Sequence, residues 1–328
     1  MEVQDSIQRR SRMRRQPTQK RITLTQRDLE ILSLLNRYPY LRSSHFYPLI
    51  GGKSRRRFIE RLGALYHEGG YVNRPARQWQ AINARYMPAV YELGEAGEIA
   101  LIDRGLAAES SPVLHRGRGH GVLFHHELMV SDILSSIEIG IRARDDLRFV
   151  SWQEILDKAP RSTQDAPDPF EIPVTVTHNF GQRTETYRKP IRPDAVFGIE
   201  YQGEGKKRYR FFALEADRKN EPLYRSSLEQ TSYLRKLLQY REVLRTGAYR
   251  THLGVPNFTV LTVTTDDGHM QKIMALLGEL TDGEGHAYML FRTMPSLASL
   301  ETAPPPTPFI LDTAWKRVVH PDCFIDKP

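Results

Sequence analysis

LTQRDLEILSLLNRYPYLRSSHFYPLIGGKSRRRFIERLGALYHEGGYVNR, residues 24–74, decides how the first third of the chain folds. Thr25 and Asp28 are spaced as a capping pair, with the acidic group at the positive end of the helix they open. Leu29, Ile31, Leu32, Leu34 and Leu35 then form a broad apolar stripe, and Pro39 marks its end. The pattern predicts a second helix over 44–50 with Phe46, Tyr47, Leu49 and Ile50 inward, a turn at Gly51-Gly52, and a third helix over 54–67. Phe58, Ile59, Leu62 and Leu65 give that third helix an apolar face, while Arg55, Arg56, Arg57 and Arg61 populate the rest. Strand-like pieces at 71–74 and 85–93 flank a polar segment, which predicts a β-hairpin with a long tip. A helix over 95–104 closes the unit. Three helices, a wing and a helix is the order of a winged helix-turn-helix domain, here over residues 23–105.

Charge supports a polyanionic partner for this part alone. Of a net charge of +8, residues 1–105 carry +9, and the remainder carries −1. Such segregation fits nucleic acid bound by one end of the chain. The recognition helix of such a domain touches base edges and phosphates with its N-terminal residues. The candidate DNA-binding residues are therefore Lys53, Ser54, Arg55, Arg56, Arg57 and Arg61, with Arg74, Arg77, Trp79 and Arg85 on the wing. Residues 1–22 hold seven Arg and Lys from Arg9 to Arg21 with little apolar content, and read as a disordered basic arm.

Residues 106–120 are small, polar and Gly- and Pro-containing, and read as a linker. Beyond them the pattern predicts a helix over 123–141, strands at 148–152, 171–177, 195–200 and 208–216, a long helix over 226–245, a strand at 258–264, a helix over 268–280 and a strand at 287–292. A surface loop is expected at 157–170. Strand–helix alternation over 121–295 implies an α/β domain, and so an α+β chain overall, with a Pro-rich tail at 296–328. No stretch has the 18 or more apolar residues of a membrane span, and the N-terminus lacks the apolar core of a secretory signal. The single cysteine, Cys323, allows no disulfide within the chain and fits a reducing cytoplasm.

The stretch quoted above, with YELGEAGEIAL at 91–101, resembles the N-terminal part of the replication-relaxation family. The resemblance continues through HHELMVSDI, RPDAVF, FALEADRKNEPL and KLLQY, so that it spans most of residues 22–245. It implies a DNA binder acting in replication, relaxation or mobilisation of plasmids or other mobile elements. The partners implied are double-stranded DNA, other plasmid replication or mobilisation proteins, and a second copy of the chain if the DNA site is palindromic. A transcription regulator of a plasmid or prophage operon fits the same residues.

The second half also resembles the PD-(D/E)XK nuclease fold. Pro193-Asp194 precedes one strand and Glu215-Ala216-Asp217 ends the next, where alternation would turn Glu215 and Asp217 to one face. Asp194, Glu215 and Asp217 are the candidate catalytic carboxylates and Mg2+ ligands, a hard cation being held by oxygens. Glu127 is a further acidic candidate, and Gln230 and Tyr240 accompany the following helix. The motif's lysine position holds Asp217, which leaves Lys219 and Lys236 as candidate cations. The alternative is an inactive fold in which Asp194, Glu215 and Arg218 form an ion-pair network. His115, His120, His125 and His126 lack metal-ligand spacing and read as cap or surface residues. GGKS at 51–54 lacks the upstream glycine of a P-loop.

Overall fold

In a computed structural model of the chain, which describes residues 10–107, 123–203 and 205–328, α1 (Gln26–Arg37) starts where Thr25 and Asp28 close a reciprocal capping box. Its apolar stripe is buried, with Ile31, Leu32 and Leu35 almost fully shielded. A short strand, β1 (Leu41–Arg42), leads into α2 (Ser43–Ile50). The chain then reverses at Gly51 and Gly52, whose positive φ values of 71° and 125° need glycine. Ser54 caps α3 (Arg55–His67) by accepting from the Arg57 amide.

β2 (Val72–Asn73) and β3 (Val90–Leu93) pair antiparallel, and β1 adds to the other side of β3, giving the order β1-β3-β2. The hairpin is shorter than its sequence pattern suggests. The strand expected from residue 85 begins only at Val90, and the polar tip holds a 3-10 helix at 76–80, where the buried Gln78 bridges Pro75 and Val90 through three hydrogen bonds. α4 (Glu95–Ile102) closes the unit. Gly97 is required there, since a Cβ would lie 2.2 Å from the Tyr71 carbonyl oxygen.

The disordered reading of the arm is corrected over residues 10–18. Arg10 pairs with Glu68, the Thr18 amide donates to the same carboxylate at 2.8 Å, and the Gln16 amide donates to His67 Nδ1 at 3.1 Å. Residues 1–9, and 108–120 of the expected linker with its His115 and His120, lie outside the described residues.

Contacts divide the chain into two units, Met1–Phe124 and His125–Pro328. α5 (Phe124–Arg142) buries Leu128, Ile133, Ile137 and Ile141. The second unit centres on a mixed five-stranded sheet. Its strands are β4 (Leu147–Val150), β7 (Ala195–Gly203), β8 (Lys206–Asp217), β9 (Thr259–Thr264) and β10 (Met289–Thr293), in the order β10-β9-β8-β7-β4. β7 pairs antiparallel with both β4 and β8, while β9 pairs parallel with both β8 and β10. Helices α8 (Tyr233–Thr246), α9 (Ala248–Leu253) and α10 (Asp267–Leu280) supply the crossovers that parallel pairing demands. Leu234, Leu237, Tyr240 and Ile273 pack with Ala213 and Val260 of the sheet in one apolar core.

Several sequence expectations shift. The strand expected to reach Trp152 ends at Val150, α6 (Trp152–Lys158) starts there at a Ser151–Glu154 capping box, and α7 (Arg161–Gln164) lies in the expected loop. The strand expected at 171–177 begins at Val176 and forms a separate hairpin, β5 (Val176–Phe180) with β6 (Arg183–Tyr187). The long helix starts at Tyr233, capped by Ser232, because Glu185 holds the preceding loop by accepting from Ser227 Oγ and the Leu228 amide. The C-terminal segment is no free tail. Trp315, Ile310 and Ile325 are fully buried, and the Thr307 amide donates to Ser136 Oγ on α5.

Candidate functional site

The two groups of candidate residues prove to be different kinds of site. In the first unit, Gly51-Gly52 and the Ser54 cap aim the first turn of α3 outward. Lys53, Arg55 and Arg57 are exposed there, with no ion-pair partner among the described residues. Arg56 is exposed as well and touches Glu60 at 2.9 Å, one turn on. The free amides of this first turn add partial positive charge to the same surface. Arg77 and Arg85 are also exposed.

Arg61, Arg74 and Trp79 stand apart from that surface. The Arg61 guanidinium forks onto Asp28, Nε to Oδ1 at 2.8 Å and Nη2 to Oδ2 at 2.6 Å, and also reaches the Thr23 carbonyl. Burial would raise the Asp28 pKa, but the hydrogen bonds from Arg61 and Thr25 outweigh it and lower it. Arg61 thus locks α3 to the start of α1. Arg74 lies over Tyr66 at 4.3 Å and bonds Tyr91 Oη at 2.9 Å. Trp79 is half-buried beneath the Arg12 guanidinium.

In the second unit the carboxylates face inward. Asp194, just before β7, accepts from the Ala216 amide at 2.8 Å and touches His126 Nε2 at 2.9 Å. Glu215 on β8 meets Tyr240 Oη with one oxygen and Lys236 Nζ with the other, at 2.8 Å; Lys236 also reaches Glu221 at 2.7 Å. Burial lifts the Glu215 pKa to about 7 against the pull of Lys236. Burial disfavours the Lys236 ammonium, yet Glu215, Asp194 and Glu221 together raise its pKa well above the usual value. His126 likewise loses to burial and gains more from Asp194, so its pKa rises.

Asp217, the third expected carboxylate, has partners of its own. Its Oδ2 lies 2.7 Å from His269 Nε2 on α10, and its Oδ1 accepts from the Asn220 amide. Lys219, in the left-handed region at φ 66°, pairs with Asp266. Asp194, Glu215 and Asp217, expected together as Mg2+ ligands, thus bond to three different sets of side chains. No group of three His, Cys, Asp or Glu side chains among the described residues could hold a metal ion. Arg218 is not in the ion-pair network expected with Asp194 and Glu215; Lys236 holds that place. The cluster borders a cavity of about 650 Å3 lined by His126, Asp217, Arg218, Glu221, Arg225 and Lys236 among others. His126 was read as a cap or surface residue, and Glu221 was not singled out in the sequence. The spacing of His126 within HHEL gives no sign of a partner 68 residues on.

A family profile for replication-relaxation proteins matches residues 32–259. The chain belongs to the replication-relaxation family. The match runs from α1 through both units to the start of β9, so the exposed basic turn and the buried cluster both lie within the family's span. Membership supports a role related to replication. No curated protein and no solved structure matched the chain. Among the described residues no helix is long and apolar enough to cross a membrane.

Proposed function

We propose that this replication-relaxation protein binds duplex DNA through a winged helix-turn-helix formed by its first unit, in the replication, relaxation or mobilisation of a plasmid or other mobile element. The observation that carries the reading is the exposed set of Lys53, Arg55 and Arg57 at the start of α3, cations that no carboxylate among the described residues neutralises. Guanidinium groups so placed suit phosphate oxygens and the acceptor edge of guanine. The helix order, the β2–β3 hairpin and the +9 charge of residues 1–105 agree with it.

Binding dominated by phosphate contacts releases counterions, so log Kd should rise linearly with log salt concentration. Fluorescence anisotropy on labelled duplex across a salt series tests this; absent or salt-independent binding defeats it. Metal-dependent endonuclease activity is the weaker reading, since Asp194 and Glu215 are bonded to His126, Tyr240 and Lys236. On the binding reading, purified protein leaves supercoiled plasmid intact in Mg2+ or Mn2+; nicking lost in Asp194→Ala would reverse the ranking.

A further inference from the structure

The β2–β3 connection ends in a feature that duplex phosphate binding does not use. Ile82 is 94% exposed and Tyr86 83% exposed, the two most exposed large apolar side chains among the described residues. They do not hang on a loose loop. Amide-to-carbonyl bonds from Ala84 to Ala81, Tyr86 to Asn83 and Met87 to Ala84 wind the segment into consecutive turns. Ala84 is buried beneath it, and Arg12 clamps its far side by donating to the Arg85 and Met87 carbonyls. Gln78 pins the near side to Val90. The fold thus holds one aromatic ring and one branched aliphatic side chain out in water, with the exposed cations Arg77 and Arg85 beside them in sequence.

We infer that this tip stacks on an open base face, so that the DNA preferred is a junction between duplex and single strand. The inference rests on the duplex-binding reading above. Apolar side chains can wedge between stacked bases, but in unbroken duplex each face is covered and uncovering it costs unstacking energy. At a junction the stack already ends, and an aromatic ring gains the contact without that cost. The flanking arginines match the phosphates on either side of such an end.

The test is anisotropy with two labelled DNAs, a duplex closed at both ends by hairpin loops so that no stack end is open, and the same duplex with one end opened into a single-stranded fork. The fork should bind roughly tenfold tighter. Tyr86→Ala and Ile82→Ala should each reduce fork affinity toward that of the closed duplex and leave closed-duplex affinity unchanged, while Tyr86→Phe keeps the preference. Arg55→Glu with Arg57→Glu should weaken both DNAs alike. Wild-type protein that holds both DNAs equally overturns the junction inference and leaves duplex binding standing, as does a fork preference that survives both alanine variants. Wild-type protein that holds neither DNA removes the duplex-binding reading itself.

Discussion

The first turn of α3 and the cluster around Glu215 both gather charge, yet they treat it in opposite ways. At α3, Lys53, Arg55 and Arg57 stand in solvent with no acid among the described residues against them. Around Glu215, Lys236 lies between two carboxylates at 2.8 and 2.7 Å, and His126 covers Asp194. Cations left unpaired at a surface cost little, because water solvates them, and remain available to a partner. Ions taken out of water must be matched inside, and once matched they hold the fold together and offer less to a ligand. The comparison separates residues that should govern binding from residues that should govern stability.

The largest break of that contrast is expected at Lys236. Lys236→Met keeps volume but leaves Glu215 and Glu221 without their shared cation, so the second unit should lose about 3 kcal/mol. Urea denaturation measures it, and duplex affinity should not change. Arg61→Ala should come next. It strips the forked partner from Asp28, which is 1% exposed, and should cost about 2 kcal/mol in the first unit. Because Arg61 sits in the same helix as Arg55 and Arg57, the variant shows which arginines of α3 are structural.

The smallest effect expected is a pH dependence. Burial, with the charges of Arg10 and Arg74, lowers the His67 pKa to about 4. The neutral ring is held by the Gln16 amide. A folded pKa below the unfolded value means that the unfolded chain takes up the proton first. The stabilisation is therefore complete above about pH 6.5 and lost as pH falls toward 4, the loss amounting to about 1–2 kcal/mol by pH 5. His67→Gln should flatten the decline in thermal midpoint between pH 7 and 5.

What could be read from sequence follows the reach of the interactions. α1, α2 and α3 were legible because caps, glycine turns and apolar spacing act within a few residues; the Thr25–Asp28 box formed as its spacing implied. β7, β8 and β9 were legible from β-rich apolar runs. The Ser151–Glu154 box of α6 was equally local and was passed over in favour of a strand running to Trp152. The partners of the candidate site residues were not legible. Arg61 and Asp28 are 33 residues apart, Tyr240 and Glu215 are 25 apart, and His269 and Asp217 are 52 apart. Nothing in the chemistry of an arginine on an exposed-looking helix face says which acid the fold will bring to it. The C-terminal segment misled for a related reason. Prolines at 304–306 and 308 read as a tail, yet Trp315 and Ile325 find their burial only once the sheet exists.

The most direct measurement of the central claim is the salt dependence of duplex binding in three proteins side by side: wild type, Arg55→Glu with Arg57→Glu, and Lys236→Met. Free surface cations predict that the double variant loses about two units of the log–log salt slope and roughly 30-fold in affinity at moderate salt, with its thermal midpoint intact. Lys236→Met should keep the wild-type slope while melting earlier. A double variant that binds with the wild-type slope, or a wild type that does not bind duplex at all, would contradict the account.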